Sequence, residues 1–454
     1  RFTPTWIVIL LAVVLGVVTI WTTRQAKESP QVAALRLVAI EPATVESLVF
    51  ERPDSQPIVV EHKSDGWRIT SPLPWKVDPI AMSSLLTQLE DLRADEKFDK
   101  PEEAATYGLD PPQLVVKVTT NQETYALEFG ETAPVGWGCY ARLAGKDTVF
   151  TLAADKVEAF DLDLTELRDK RILDIVVTDI QRISLRDAAG TSTVLMRQDD
   201  QWQLISPFQD EADPFGAEEL AWGLGFLQAT EFIDTPKDLS NYGLRKPVLQ
   251  VELVTGSAHA GQTVKLTIGK VEKQPPKERS YMGIITTYYV QSSADTKTIY
   301  EIATDLSELI SLKAESLINT QVFDTAWASR AQQVQLSSPE GTWTLERSGQ
   351  NWKLSQPKAA AVNIDRTRTD RLLAAVRKVQ LDSIERKRST QLPSGGKNWS
   401  LQLTTIDGRR YTLLAREAAD AAKWLATVDG RQHRYYLDGT LLKTLQEAFE
   451  QESK

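Results

Sequence analysis

The residues able to do chemistry are few and scattered. The chain has one cysteine, Cys139, and three histidines, His62, His259 and His433. One thiol cannot form a disulfide within the chain, and it excludes a cysteine-rich zinc site. No two histidines stand at metal-ligand spacing, and none lies near a nucleophile in a recognisable motif. Asp161, Asp163 and Glu166 could in principle hold a cation, but the loop lacks the glycine and the twelfth-position glutamate of an EF-hand. The acid pairs Glu102-Glu103 and Glu218-Glu219 read as solvated helix starts. Gly136-Trp137-Gly138 and Gly223-Leu224-Gly225 are too short for a phosphate loop; they read as a turn and a helix-packing feature. These residues therefore predict no enzyme, no cofactor and no metal site.

Binding chemistry is carried by aromatic residues. Trp75 and Trp137, with Tyr281 and Met282 in a mixed basic and apolar insertion at 273–286, are the candidate partner contacts, since tryptophan and tyrosine are enriched where proteins meet. The net charge of −10 is spread along the chain without a polybasic run, which argues against nucleic acid.

The elements that would position these residues begin with an uncharged stretch, Trp6 to Trp21. Counted over residues 4–23 it is long enough to cross a bilayer core as a helix, with Trp6 and Trp21 at the interfaces. Ile20 to Arg24 make a poor signal-cleavage site. The lipid bilayer is thus the partner expected of residues 4–23. An N-terminal anchor ahead of a large soluble region is the usual export arrangement. The expected location is therefore a single pass in the inner membrane, with the soluble region periplasmic or extracytoplasmic. The local cations, Arg1 before and Arg24 and Lys27 after, do not support that direction.

The remaining length suits about three domains of roughly 150 residues, and internal repeats support that number. Trp67-Arg-Ile-Thr-Ser-Pro72, Trp202-Gln-Leu-Ile-Ser-Pro207 and Trp352-Lys-Leu-Ser-Gln-Pro357 each follow a strand and a polar turn, the pattern of a hairpin. Helix starts follow at Asp78-Pro79, Asp213-Pro214 and Asn363 or Asp365. Apolar stripes come next: Met82, Leu85, Leu86 and Leu89; Leu220, Leu224 and Leu227; Leu372, Leu373, Val376 and Val379. Tyr107-Gly108-Leu109 recurs as Tyr242-Gly243-Leu244 and is missing from the third copy. Further strands follow, then closing helices over 164–173, 306–317 and 441–449. The expected fold class is α+β: an N-terminal transmembrane helix (1–24), a linker (25–38), and tandem diverged repeats at 39–174, 175–318 and 319–454.

The W-x-I-x-x-P hairpin, the Tyr-Gly-Leu-Asp-Pro-Pro element and the later strand ending Phe129-Gly130 resemble the family called domain of unknown function 4340. The resemblance is good over about 40–320 and looser beyond. It implies a bacterial envelope protein with one N-terminal membrane segment, often associated with auxiliary components of gliding-motility-type ABC transporters. It brings no catalytic residues. The expected function is a non-enzymatic, membrane-anchored accessory or scaffold with a membrane-protein partner. The alternative is an extracytoplasmic binding protein that holds a peptide, glycan or lipid on inter-repeat surfaces.

Overall fold

The computed structural model describes residues 35–99, 101–134, 138–256, 261–273, 284–323, 326–385, 391–417 and 423–450. Residues 4–23, with Trp6 and Trp21, lie outside them, as do Trp137, Tyr281 and Met282.

Alternating apolar residues build three nine-stranded antiparallel sheets among the described residues. The first contains Val45–Glu51, Ile58–Lys63, Gly66–Ser71, Trp75–Lys76, Glu96–Phe98, Leu114–Thr120, Thr124–Thr132, Gly138–Leu143 and Val149–Ala153. The second contains Ile180–Asp187, Ser192–Gln198, Gln201–Ser206, Asp210–Glu211, Glu231–Ile233, Leu249–Thr255, Thr263–Lys273, Ile285–Ser292 and Asp295–Ile302. The third contains Ala331–Ser338, Gly341–Ser348, Asn351–Ser355, Val362–Ile364, Ser383–Glu385, Asn398–Thr405, Arg410–Glu417, Lys423–Val428 and Arg434–Asp438. Counted one to nine in chain order, every sheet has the spatial order 4-3-2-1-6-7-8-9-5. Two meanders are thus joined along strands one and six, and strand five closes one edge against strand nine.

A helix connects strands four and five in each copy: α1 (Pro79–Glu90), α2 (Pro214–Gly225) and α3 (Arg366–Arg377). Their starts follow the expected capping chemistry. The Asp78 carboxylate accepts from Ile80 and Ala81 N–H, Asp213 from Gly216 N–H, and Asp365 from Arg368 N–H. Their inner faces bury Met82, Leu85 and Leu89; Ala217, Ala221 and Leu224; and Leu372 and Val376. In the first copy these side chains meet Leu48, Val60, Ile69, Val116 and Leu127 from alternate strand positions in one core. At about 1.5–3 kcal/mol per buried large aliphatic side chain, this stripe outweighs any helix propensity term.

The fold class is therefore corrected: the protein is mainly antiparallel β, not α+β. Two of the expected closing helices shrink to single turns, Leu164–Leu167 and Ser307–Ile310, the latter followed by a 3-10 turn at Ala314–Leu317. The chain leaves these turns to pair with the end of strand four, Val77 with Arg168 and Ala212 with Ile318. Backbone pairing takes the place of helix there. Only the last closing helix, α4 (Gly439–Glu450), reaches three turns. The transmembrane helix expected over 1–24 lies outside the described residues. No helix among the described residues is long and apolar enough to cross a membrane.

The chain divides into two compact units, residues 1–170 and 171–454, so the second and third sheets share a unit. Strands seven and eight of the second sheet lengthen into a hairpin whose outermost pair is Lys273 with Ile285; residues 274–283 of the expected insertion lie outside the described residues.

Candidate interaction surfaces

The residues first suspected of chemistry have structural duties. The Asp163 carboxylate accepts from Glu166 N–H, and Glu166 accepts in return from Asp163 N–H, a capping box that starts the short helix. Asp161 forms an ion pair with Arg52 at 2.7 Å. Glu218 is no free helix-start acid: it accepts from Arg197 at 2.6 Å and from the Trp202 indole at 2.9 Å. Cys139 is buried, and loss of solvation, helped by the nearby Asp161 charge, pushes its thiol up to about 12. A thiol held so far above neutrality is a core group, not a nucleophile. No cluster of three metal-binding side chains occurs among the described residues.

The repeated motifs are also explained by packing. Each hairpin tryptophan sits across from a neighbouring-strand side chain: Trp67 from His62, Trp202 from Arg197, and Trp352 from Arg347. In Tyr-Gly-Leu the glycine ends a 3-10 turn in the left-handed region, at φ +64° for Gly108 and +71° for Gly243. A Cβ on Gly108 would lie 2.8 Å from the Glu131 nitrogen, and one on Gly243 would lie 2.8 Å from the Lys270 nitrogen. The turn therefore rests directly on the glycine-containing strand at 130 or 269. Trp75 is half-buried and faces its own copy: its indole donates to the Asp169 carbonyl at 3.1 Å, and the Arg168 guanidinium lies 4.9 Å from its ring.

Two surfaces that the sequence reading missed lie in the unit spanning 171–454. The first is a joint between the second and third sheets. Strand four of the second sheet supplies Asp210 and Glu211, and the eight-to-nine turn and ninth strand of the third supply Arg431, His433 and Tyr435. Arg431 is nearly fully buried. Its guanidinium donates to the carbonyls of Asn319 (2.6 Å) and Gln321 (2.8 Å) and to Glu211 (3.0 Å). The Tyr435 hydroxyl donates to the Asp210 carboxylate at 2.6 Å. Burial raises the Asp210 carboxyl above its ordinary range, with Tyr435 and Arg431 pulling the other way. Burial and the Asp210 charge raise the Tyr435 phenol.

Beside the joint is a cavity of about 490 Å³. Phe208, His433, Ile384, Leu249 and Ile310 are among its walls, and Lys313 and Glu315 add charge. His433 meets Phe208 edge-on at 5.4 Å, and its buried Nδ1 has no hydrogen-bond partner among the described residues.

The second surface is the outer side of α2. Phe215, Glu219, Trp222 and Phe226 follow one another at intervals of four, three and four residues, which places them on one line of an α-helix. Phe215 is 74% exposed, Trp222 42% and Phe226 54%, and the last two rings stack at 5.2 Å with planes 8° apart. The same spacing stands in the sequence, but Leu220, Leu224 and Leu227 mark the helix's other side as the apolar one. Of the expected stripe, Leu224 and Leu227 are buried and Leu220 is half-buried, and Ala217 and Ala221 complete the buried side.

The family described as domain of unknown function (DUF4340) matches residues 67–247 and 202–398. The chain belongs to this family. Both DUF4340 matches open on a hairpin tryptophan, Trp67 or Trp202. Both end at the sixth strand of the following sheet, just before Leu249 or at Asn398. The DUF4340 span thus runs from strand three of one sheet into the next. No curated protein matches the chain.

Proposed function

We propose that this DUF4340 protein is a non-enzymatic, membrane-tethered accessory or scaffold subunit of a bacterial envelope complex, with an ABC-type transporter as the partner class. The observation that carries this reading is the divergence of one repeated element. α1, α2 and α3 occupy the same place in three sheets with the same topology, yet their outer faces are hydroxyl-rich, aromatic and basic. Folding demands only their inner stripes. Three surfaces of different chemistry on one repeated framework suit a protein that holds others. The tether is the apolar segment at 4–23, and the transporter class comes from the motif resemblance.

Affinity purification of the full chain in mild detergent tests the reading. Membrane transport proteins should co-purify in stoichiometric amount. Recovery of the chain without them, across several detergents and after crosslinking, would overturn it.

The cavity beside the joint favours a second reading, an extracytoplasmic binding protein. Its volume falls in the range of small-ligand sites, about 300–1,000 Å³, and His433 Nδ1 lacks a hydrogen-bond partner among the described residues. Native mass spectrometry should then show a bound small molecule that His433→Ala releases. A mass equal to the bare chain in every preparation would exclude this reading.

A further inference from the structure

We infer that copies of this chain associate head to tail, the aromatic outer face of α2 on one copy seating against the basic outer face of α3 on a second copy. This goes beyond the scaffold reading and does not need a transporter.

The three equivalent helices show what the fold itself requires. α1 exposes Ser83, Ser84 and Thr87 beside Ile80. α3 exposes Arg366, Arg371 and Arg377, with Lys378 at its C-cap and Asp370 the acid among them. α2 carries no cation at all and exposes Phe215, Glu219 and Trp222, with Phe226 exposed at its C-cap. An aromatic ridge is therefore not the cost of building this element.

The two faces complement each other chemically. Guanidinium groups stack on tryptophan and phenylalanine faces, and Glu219 supplies a carboxylate for one of them. The fold already uses this chemistry internally. Arg197 lies 4.8 Å from the Trp202 ring while Glu218 accepts from both. Gly223 adds an independent mark. It sits in α2 next to Trp222, is exposed, and a Cβ built on it would meet nothing within 4 Å. The fold does not need glycine there, whereas a closely approaching helix does. Gly225 differs: a Cβ there would strike Val177.

Since the two faces are different patches of the same chain, the contact is heterologous. It leaves one unused face at each end and propagates instead of closing as a two-fold dimer.

Sedimentation velocity of the purified full chain in mild detergent tests this over a wide concentration range. The wild type should grow past dimer as concentration rises. Trp222→Ser with Phe226→Ser should remain monomeric, and so should Arg371→Glu with Lys378→Glu. All four positions are exposed, and unchanged circular-dichroism melts would show that the variants fold. Mixing the two double variants should give dimers and nothing larger, because each contributes one intact face. A monomeric wild type overturns the proposal. So does wild-type association by either variant, or a mixture that stays monomeric. None of these results touches the scaffold reading, which is decided by co-purifying membrane proteins.

Discussion

Asp210 sits in an environment far from the one its type suggests. It is 7% exposed, accepts the Tyr435 hydroxyl, and lies near Arg431. Burial still dominates and raises its pKa. A carboxyl with a folded pKa above its unfolded value of about 3.9 binds its proton more tightly in the folded protein. Its contribution to stability is fully present below the unfolded pKa and is lost as pH rises through the folded one. The stability of the wild type minus that of Asp210→Asn should therefore fall as pH climbs from about 4. Urea unfolding at a series of pH values measures it, and a flat difference would contradict the assignment. Glycines give a second test at this scale. Gly243→Ala forces a side chain into the left-handed region and against Lys270, and should cost roughly 1–3 kcal/mol. Gly223→Ala, in open space inside a helix, should gain about 0.5–1 kcal/mol. Thermal melts of the two variants should move in opposite directions.

At the scale of elements, the helix caps are the most transferable feature. Asp78, Asp213 and Asp365 each accept backbone N–H groups that would otherwise be unpaired. Replacement by alanine should destabilise the protein by about 1 kcal/mol at each site, and replacement by asparagine by much less. Asp78 accepts two donors and should show the largest loss in denaturant titrations. The expected stripes were largely legible: Met82, Leu85 and Leu89, and Leu372, Val376 and Val379, are all buried. The closing helices were not. Leu164 and Leu167 stand at the spacing of one helix face, but the pairing of Arg168 with Val77 satisfies backbone groups that a longer helix would have used itself. Two- and three-residue strands such as Trp75–Lys76 and Asp210–Glu211 are too short to show alternation, so the sheets looked smaller in the sequence than they are.

For the molecule as a whole, the joint makes the second and third sheets parts of one unit. Arg431 ties them by bonding to Asn319, Gln321 and Glu211 together. Arg431→Ala would leave buried carbonyls unpaired and should cost roughly 2–4 kcal/mol. The second and third sheets should then lose their shared protection, which hydrogen exchange followed by mass spectrometry reads segment by segment. Unchanged protection in both sheets would mean that apolar contacts alone hold the joint.

Local chemistry alone determined the repeats, their hairpins, their helix starts and the packing role of the recurrent tryptophans. Caps, turns and periodic stripes act over a few residues and leave their mark in order along the chain. The nine-strand sheets, the joint and the aromatic ridge were decided by tertiary structure. Asp210 and Tyr435 are far apart in sequence and meet only because two sheets pack together. Phe215, Trp222 and Phe226 look like core residues until the helix chooses which side to bury. Small alanines on the opposite side let α2 lie close to its sheet, and that choice leaves the aromatics facing outward.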